Sequence, residues 1–143
     1  MKIEIKRFDK GLPLPAYKSQ GAAAMDLAAR ETVTILAGKV GYIPLNVAVE
    51  IPEGYWLMVA PRGSTHKLGL LMVNSFALGD PDFKGDNDEY VFPAFNFTDA
   101  DVTVDKGTRI AQMLLVKNEK IELQEVEKLG NPDRGMLGST GSK

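Results

Sequence analysis

The chain has 143 residues, a net charge of -2, no cysteine and the single histidine His66, which excludes disulfides, zinc–thiolate centres and histidine metal clusters and supplies no overall basic field to draw nucleic acid. A hydrophobic fraction of 44% and a charged fraction of 25% suit one globular domain able to bury a core. Met1-Lys2-Ile3-Glu4-Ile5-Lys6 lacks the apolar core of a signal peptide and no apolar run nears the roughly 20 residues that span a bilayer, so a cytoplasmic protein with no membrane partner is expected, in host cytoplasm if it is viral.

Short runs of strand character separated by turn signals follow one another, the pattern of an all-β sandwich or barrel. Ile3 and Ile5 alternate with charged residues. Residues 21–29, rich in alanine, favour helix by propensity alone. The run 33–36 closes at Ala37-Gly38, 40–43 at Pro44, and 47–51 at the tight-turn sequence Pro52-Glu53-Gly54. Further strand candidates are 55–59, 70–73, 90–97, 102–104, 110–116 and 121–126, with Asp105-Lys106-Gly107 and Asn118-Glu119 as hairpin turns. After Leu129 the chain turns to glycine and polar residues with little to bury. This divides it into a β domain, 1–129, and a C-terminal arm, 130–143, expected to be mobile until something orders it.

Four segments carry candidate chemistry. In the arm, Arg134 precedes Gly138-Ser139-Thr140-Gly141; backbone amides, two hydroxyls and a fixed cation make a phosphate cradle, although a plain disordered C-terminus reads the same way. The run Pro61-Arg62-Gly63-Ser64-Thr65-His66-Lys67 packs cations and hydroxyls into one turn after a strand. Small residues there let amides approach an anion, although a plain polar loop reads the same way. Between Asn74 and Asp88, four aspartates (Asp80, Asp82, Asp86, Asp88) could hold a cation, activate water or serve only as turn residues, and their spacing is wrong for an EF-hand. Gln112 interrupts the apolar run 110–116 and needs a partner, structural or ligand.

In order and spacing, these segments together resemble the five motifs of the trimeric deoxyuridine triphosphatase family, over nearly the whole chain. The first motif resembles Ala23-Ala24-Met25-Asp26-Leu27, the second residues 61–67, the third 74–85, the fourth Gly107-Thr108-Arg109-Ile110-Ala111-Gln112, and the fifth Arg134-Gly135 with 138–141. The resemblance implies a distorted jelly-roll or β-barrel of short antiparallel strands, with the alanine-rich stretch a strand rather than a helix. It implies a homotrimer with shared sites that hydrolyses dUTP to dUMP and pyrophosphate with Mg2+. Asp80 would activate the water. Arg62, Gly63, Ser64, Gln112, Arg134, Ser139 and Thr140 would hold the phosphates. A hairpin carrying Asn74 and Phe83 would receive uracil and deoxyribose, Leu137 would lie over the base, and Asp26 would reach the magnesium through water.

The chain departs from the family pattern at several places. Gly63 replaces a serine, Phe83 a common tyrosine, and Met136-Leu137 a glycine–phenylalanine pair, and Ala77-Leu78-Gly79 alters the order before Asp80; the run 85–89 after the hairpin, by contrast, resembles a branch of the family that carries it. Two alternatives stay open: a dCTP deaminase or bifunctional deaminase–triphosphatase on the same fold, for which no glutamate stands beside Asp80, and a non-catalytic nucleotide-binding regulator.

Overall fold

A computed structural model describes residues 1–135. In chain order the strands are β1 Ile5–Arg7, β2 Met25–Ala28, β3 Val33–Ile35, β4 Val40–Pro44, β5 Val47–Val49, β6 Tyr55–Pro61, β7 Leu70–Met72, β8 Ala77–Gly79, β9 Val91–Asn96, β10 Val102–Val104 and β11 Arg109–Lys117. One 3₁₀ helix, Thr65–Leu68, follows β6. Every pairing is antiparallel. A four-stranded sheet runs β2-β11-β6-β8, a three-stranded sheet runs β4-β9-β7, and β1-β5 and β3-β10 form two-stranded ribbons. The expected all-β, jelly-roll-type architecture is what the chain forms, in separate sheets that do not close into a continuous barrel.

The core fills the space between the sheets. Leu27, Val59, Leu57, Ile110, Ala111 and Met113 come from the four-stranded sheet, and Ile43, Leu70, Met72, Phe92 and Ala94 from the three-stranded one. Alternation along β9 shows why this sequence is a strand: Phe92, Ala94 and Asn96 face in, while Val91, Pro93 and Phe95 face out or lie half covered. Asn96 is fully buried yet satisfied. Its Nδ2 donates to the carbonyls of Ile35 (2.9 Å) and Ala100 (2.7 Å), and its Oδ1 accepts from the amide and hydroxyl of Thr98. Met25–Ala28 is a strand, because pairing with β11 and the burial of Leu27 override the helix propensity of the alanines around it.

Four expectations need correction. Residues 121–126 form no strand: everything from 118 to 135 lacks regular structure and is exposed, with Ile121, Leu123 and Leu129 79–85% accessible. Asn118-Glu119 is therefore no hairpin turn. Asp105-Lys106-Gly107 does turn, with the Thr108 amide on the Asp105 carbonyl (3.0 Å) and Gly107 at φ 85, but β10 and β11 then pair in different sheets. The hairpin expected over 74–83 is likewise split, since β7 pairs with β9 and β8 with β6. Its tip turns at Ser75, which takes a positive φ of 63°, and the Phe76 amide donates to the Asn74 carbonyl (2.7 Å). The run 85–89 is tied back to the body, because Glu89 accepts from Arg30 Nε and from the Asn46 amide, both at 2.8 Å.

Candidate active site

β11 brings the first, second and fourth sequence segments together. Its register sets Gln112 opposite Asp26 on one side and opposite Ala60 on the other. Asp26 Oδ1 accepts from Arg62 Nε (2.8 Å) and Oδ2 from Arg109 Nη1 (2.9 Å). Gln112 Nε2 donates to the Pro61 carbonyl (3.0 Å), answering the need for a partner raised by its apolar surroundings. The Asp26 side chain is 15% exposed against 50% for Arg109. Two guanidiniums thus share one carboxylate and face solvent, an arrangement suited to a multiply charged oxyanion that can accept paired donors.

Arg109 is absent from the residues singled out as phosphate-holding by sequence. Strict alternation puts Arg109 and Gln112 on opposite faces of a strand. A β-bulge between Arg109 and Ala111 shifts the register, so both arrive beside Asp26. The bulge leaves one trace in the burial pattern: Ile110 and Ala111 are adjacent and both fully buried.

The two hydroxyls of the second segment part company. Thr65 is buried; its Oγ1 accepts from the Arg62 amide (3.0 Å) and donates to the Ile110 carbonyl (2.7 Å), fastening the turn to β11. Ser64 is exposed at the start of the 3₁₀ helix and its side chain makes no capping bond, so its hydroxyl is free for a ligand. Gly63 is also exposed, and a Cβ there would meet nothing within 4 Å; nothing in the structure explains the glycine.

Asp80 lies at the far edge of the same sheet. β8 pairs with β6 so that Gly79 faces Leu57, whereas Gln112 faces Ala60. Asp26 and Asp80 therefore sit on or just past opposite edge strands, three strand spacings or about 14 Å apart across the sheet before any offset along it. Asp26 and Arg109 line a narrow crevice with the loop 12–16, while Asp80 opens onto a cleft of about 1080 Å³ with Tyr55, Asp82 and Lys120 that shares no residue with the crevice. The Asp80 turn closes with the Phe83 amide on its carbonyl (3.1 Å). Phe83 is 38% exposed and packs edge-on against Tyr90, ring centroids 5.2 Å apart. Asn74 is exposed at the hairpin tip.

Arg134 is exposed near the end of the described residues, whereas Leu137, Ser139 and Thr140 lie outside them. Among the described residues no group of three histidine, cysteine, aspartate or glutamate side chains is arranged to hold a metal ion, and no helix is long and apolar enough to cross a membrane.

The family model for dUTPase matches residues 10–143. The chain is 42% identical to the SPbeta prophage-derived deoxyuridine 5'-triphosphate nucleotidohydrolase YosS of Bacillus subtilis, covering all of both chains. It is 36% identical to the deoxyuridine 5'-triphosphate nucleotidohydrolase of Dictyoglomus turgidum over 99% of each. Among solved structures it is similar to the dUTPase of Streptococcus mutans (TM-score 0.76, 27% identity, 85% of this chain and 99% of that one). It shares its fold with the G164S variant of the Staphylococcus bacteriophage 80alpha dUTPase with dUpNHpp (TM-score 0.85, 23% identity, 98% of each chain).

Proposed function

The chain belongs to the dUTPase family, and from that membership we propose that it hydrolyses dUTP to dUMP and pyrophosphate in the cytoplasm, or the host cytoplasm if the source is a virus. The observation that carries this reading is the cationic row in which Arg62 and Arg109 converge on Asp26 beside Gln112. Such a row suits a triphosphate, whose equatorial oxygens accept paired donors from guanidinium groups. Arg62, Gln112, Ser64 and the amide of Gly63 cradle the phosphates, with Arg109 added to them. Arg134, Ser139 and Thr140 complete the cradle from the arm 130–143, and Leu137 covers the uracil.

Asp80 takes a proton from a water that attacks the α-phosphorus in line. The new bond joins that oxygen to phosphorus, the bond to the α–β bridging oxygen breaks, and pyrophosphate leaves. The exposure of Asp80 and the absence of any hydrogen bond to its carboxylate among the described residues suit a base that must meet solvent. Asn74 and the backbone of the hairpin read the uracil edge, and the Phe83 ring packs on the deoxyribose where a 2'-hydroxyl would collide. Both oxygens of Asp26 already accept from arginines, so Asp26 fits contact with a magnesium ion only through the ion's waters, and the triphosphate itself would hold the metal. Bound there, the ion would neutralise phosphate charge.

The placement of Asp80 and the arginine row at opposite edges of one sheet supports sites shared between subunits of a homotrimer. The exposed Ile121, Leu123 and Leu129 support it too, as apolar residues with no cover in one copy. The nucleotidohydrolase names of the relatives favour hydrolysis over the deaminase and the silent-regulator alternatives.

The deciding measurement is pyrophosphate and ammonia release from dUTP, dCTP, dTTP and UTP, with and without magnesium. Magnesium-dependent pyrophosphate from dUTP alone is expected. Ammonia from dCTP, or binding of dUTP without turnover, would replace the reading with one of its alternatives.

A further inference from the structure

Tyr90 ends the acidic run after the hairpin and enters β9, its backbone bonded to the Leu45 amide and the Val47 carbonyl at 2.9 Å each. Its side chain is 4% exposed, and its hydroxyl is the one buried side-chain nitrogen or oxygen among the described residues that has no hydrogen-bond partner. Such an orphan destabilises the fold, and a phenylalanine would fill the same volume without it. The hydroxyl lies against Gly79, the residue before Asp80: a Cβ there would stand 2.0 Å from it. The missing side chain of Gly79 is therefore what lets the hydroxyl reach the Asp80 turn. The same ring backs Phe83 edge-on.

Burial first, and then the negative charges of Asp80 and Asp88, push the Tyr90 phenol up to about 12, so it remains a proton donor at any working pH. Of the two carboxylates, Asp88 accepts from the Gly85 amide with one oxygen (2.6 Å), whereas Asp80 follows directly on Gly79, against which the hydroxyl lies.

We propose that Tyr90 is a positioning residue whose hydroxyl donates to the Asp80 carboxylate once nucleotide seats in the hairpin, aiming that carboxylate at the attacking water while the ring holds Phe83 in place. This rests on the reading of Asp80 as the base. It accounts for a buried hydroxyl kept at a cost in the empty protein: the partner is assembled only with substrate.

The test is a cycle of Y90F, D80N and the double variant in the full chain, followed by turnover and KM for dUTP and by thermal melting. Y90F should lower kcat about tenfold, the worth of one hydrogen bond to a charged group, with KM nearly unchanged and Tm equal or higher. Added to D80N, Y90F should change turnover no further, because its effect passes through Asp80. The same fractional loss in both backgrounds, or a Y90F enzyme of native kcat beside an inactive D80N, overturns the inference and leaves the base assignment intact. Native turnover in D80N itself removes the base assignment and the inference together.

Discussion

At the β2 edge of the four-stranded sheet, Asp26, Arg62, Arg109 and Gln112 are largely bonded to one another or to backbone before any ligand arrives. At the β8 edge, Asp80 is exposed without a hydrogen bond among the described residues, Phe83 is half covered, and Tyr90 keeps a buried hydroxyl unanswered. The first region is built by strand register: three strands meet in one row and hold the side chains in place. The second hangs on a turn whose two arms belong to different sheets. The difference separates binding from chemistry. Under the proposed reading, the charges offered to a triphosphate are held in place beforehand, by a carboxylate that the ligand must displace, whereas the reacting end is completed by what docks on it.

The largest effect should follow at the unfinished edge. Asp80→Asn is expected to cut turnover by roughly 10²–10⁴-fold, the range for a lost general base, with dUTP affinity and Tm unchanged because the exposed carboxylate bonds to nothing among the described residues. A melting point lower by several degrees would show that this edge, too, is structurally fastened. Next, Arg62→Ala should lower kcat/KM by roughly 10–100-fold, the worth of a hydrogen bond to a charged group, and it should act mainly through KM. A pure kcat effect would mean that the arginine row works in the transition state rather than as a prebuilt cradle.

Thr65→Val probes stability at the finished edge. The hydroxyl holds both the Arg62 amide and the Ile110 carbonyl, so the variant should unfold about 1–3 kcal/mol more easily, read by chemical denaturation. No loss of stability would deny that the turn is pinned to β11. The smallest expected effect lies outside the described residues. Leu137→Phe should lower the KM for dUTP by about fivefold if stacking on uracil recovers about 1 kcal/mol, with no change in the melting of the empty protein. Destabilisation instead would make Leu137 a packed residue and redraw the roles of Ser139 and Thr140.

How far these two regions could be read from sequence differs in the same way. Asp26, Arg62 and Gln112 stand in recognisable segments, although the segment that carries Asp26 favours helix by propensity and reads as a strand only through the family resemblance. Arg109 was hidden because a bulge breaks the two-residue period, and a bulge is not written in composition. Ser64 and Thr65 are adjacent hydroxyls of similar chemistry; only tertiary packing decides that one is spent on the backbone and the other left free. The strand expected over 121–126 failed for a different reason. Ile121 and Leu123 have the right spacing, but a period marks a face that could be covered and not whether the chain has anything to cover it. The orphan hydroxyl of Tyr90 left no signal in a run of residues that reads as an ordinary strand start.

The pairing of Asp26 with two arginines changes what binding means here. The empty row is not a bare positive patch waiting for an anion; it already carries one of its own. Under the proposed reading, a triphosphate arriving there would exchange places with a resident carboxylate, in the manner of a counter-ion on a resin. Such an exchange should make affinity less steeply dependent on ionic strength than the number of cations suggests. It would also provide a return stroke: as pyrophosphate departed, Asp26 would be on hand to reclaim the guanidiniums.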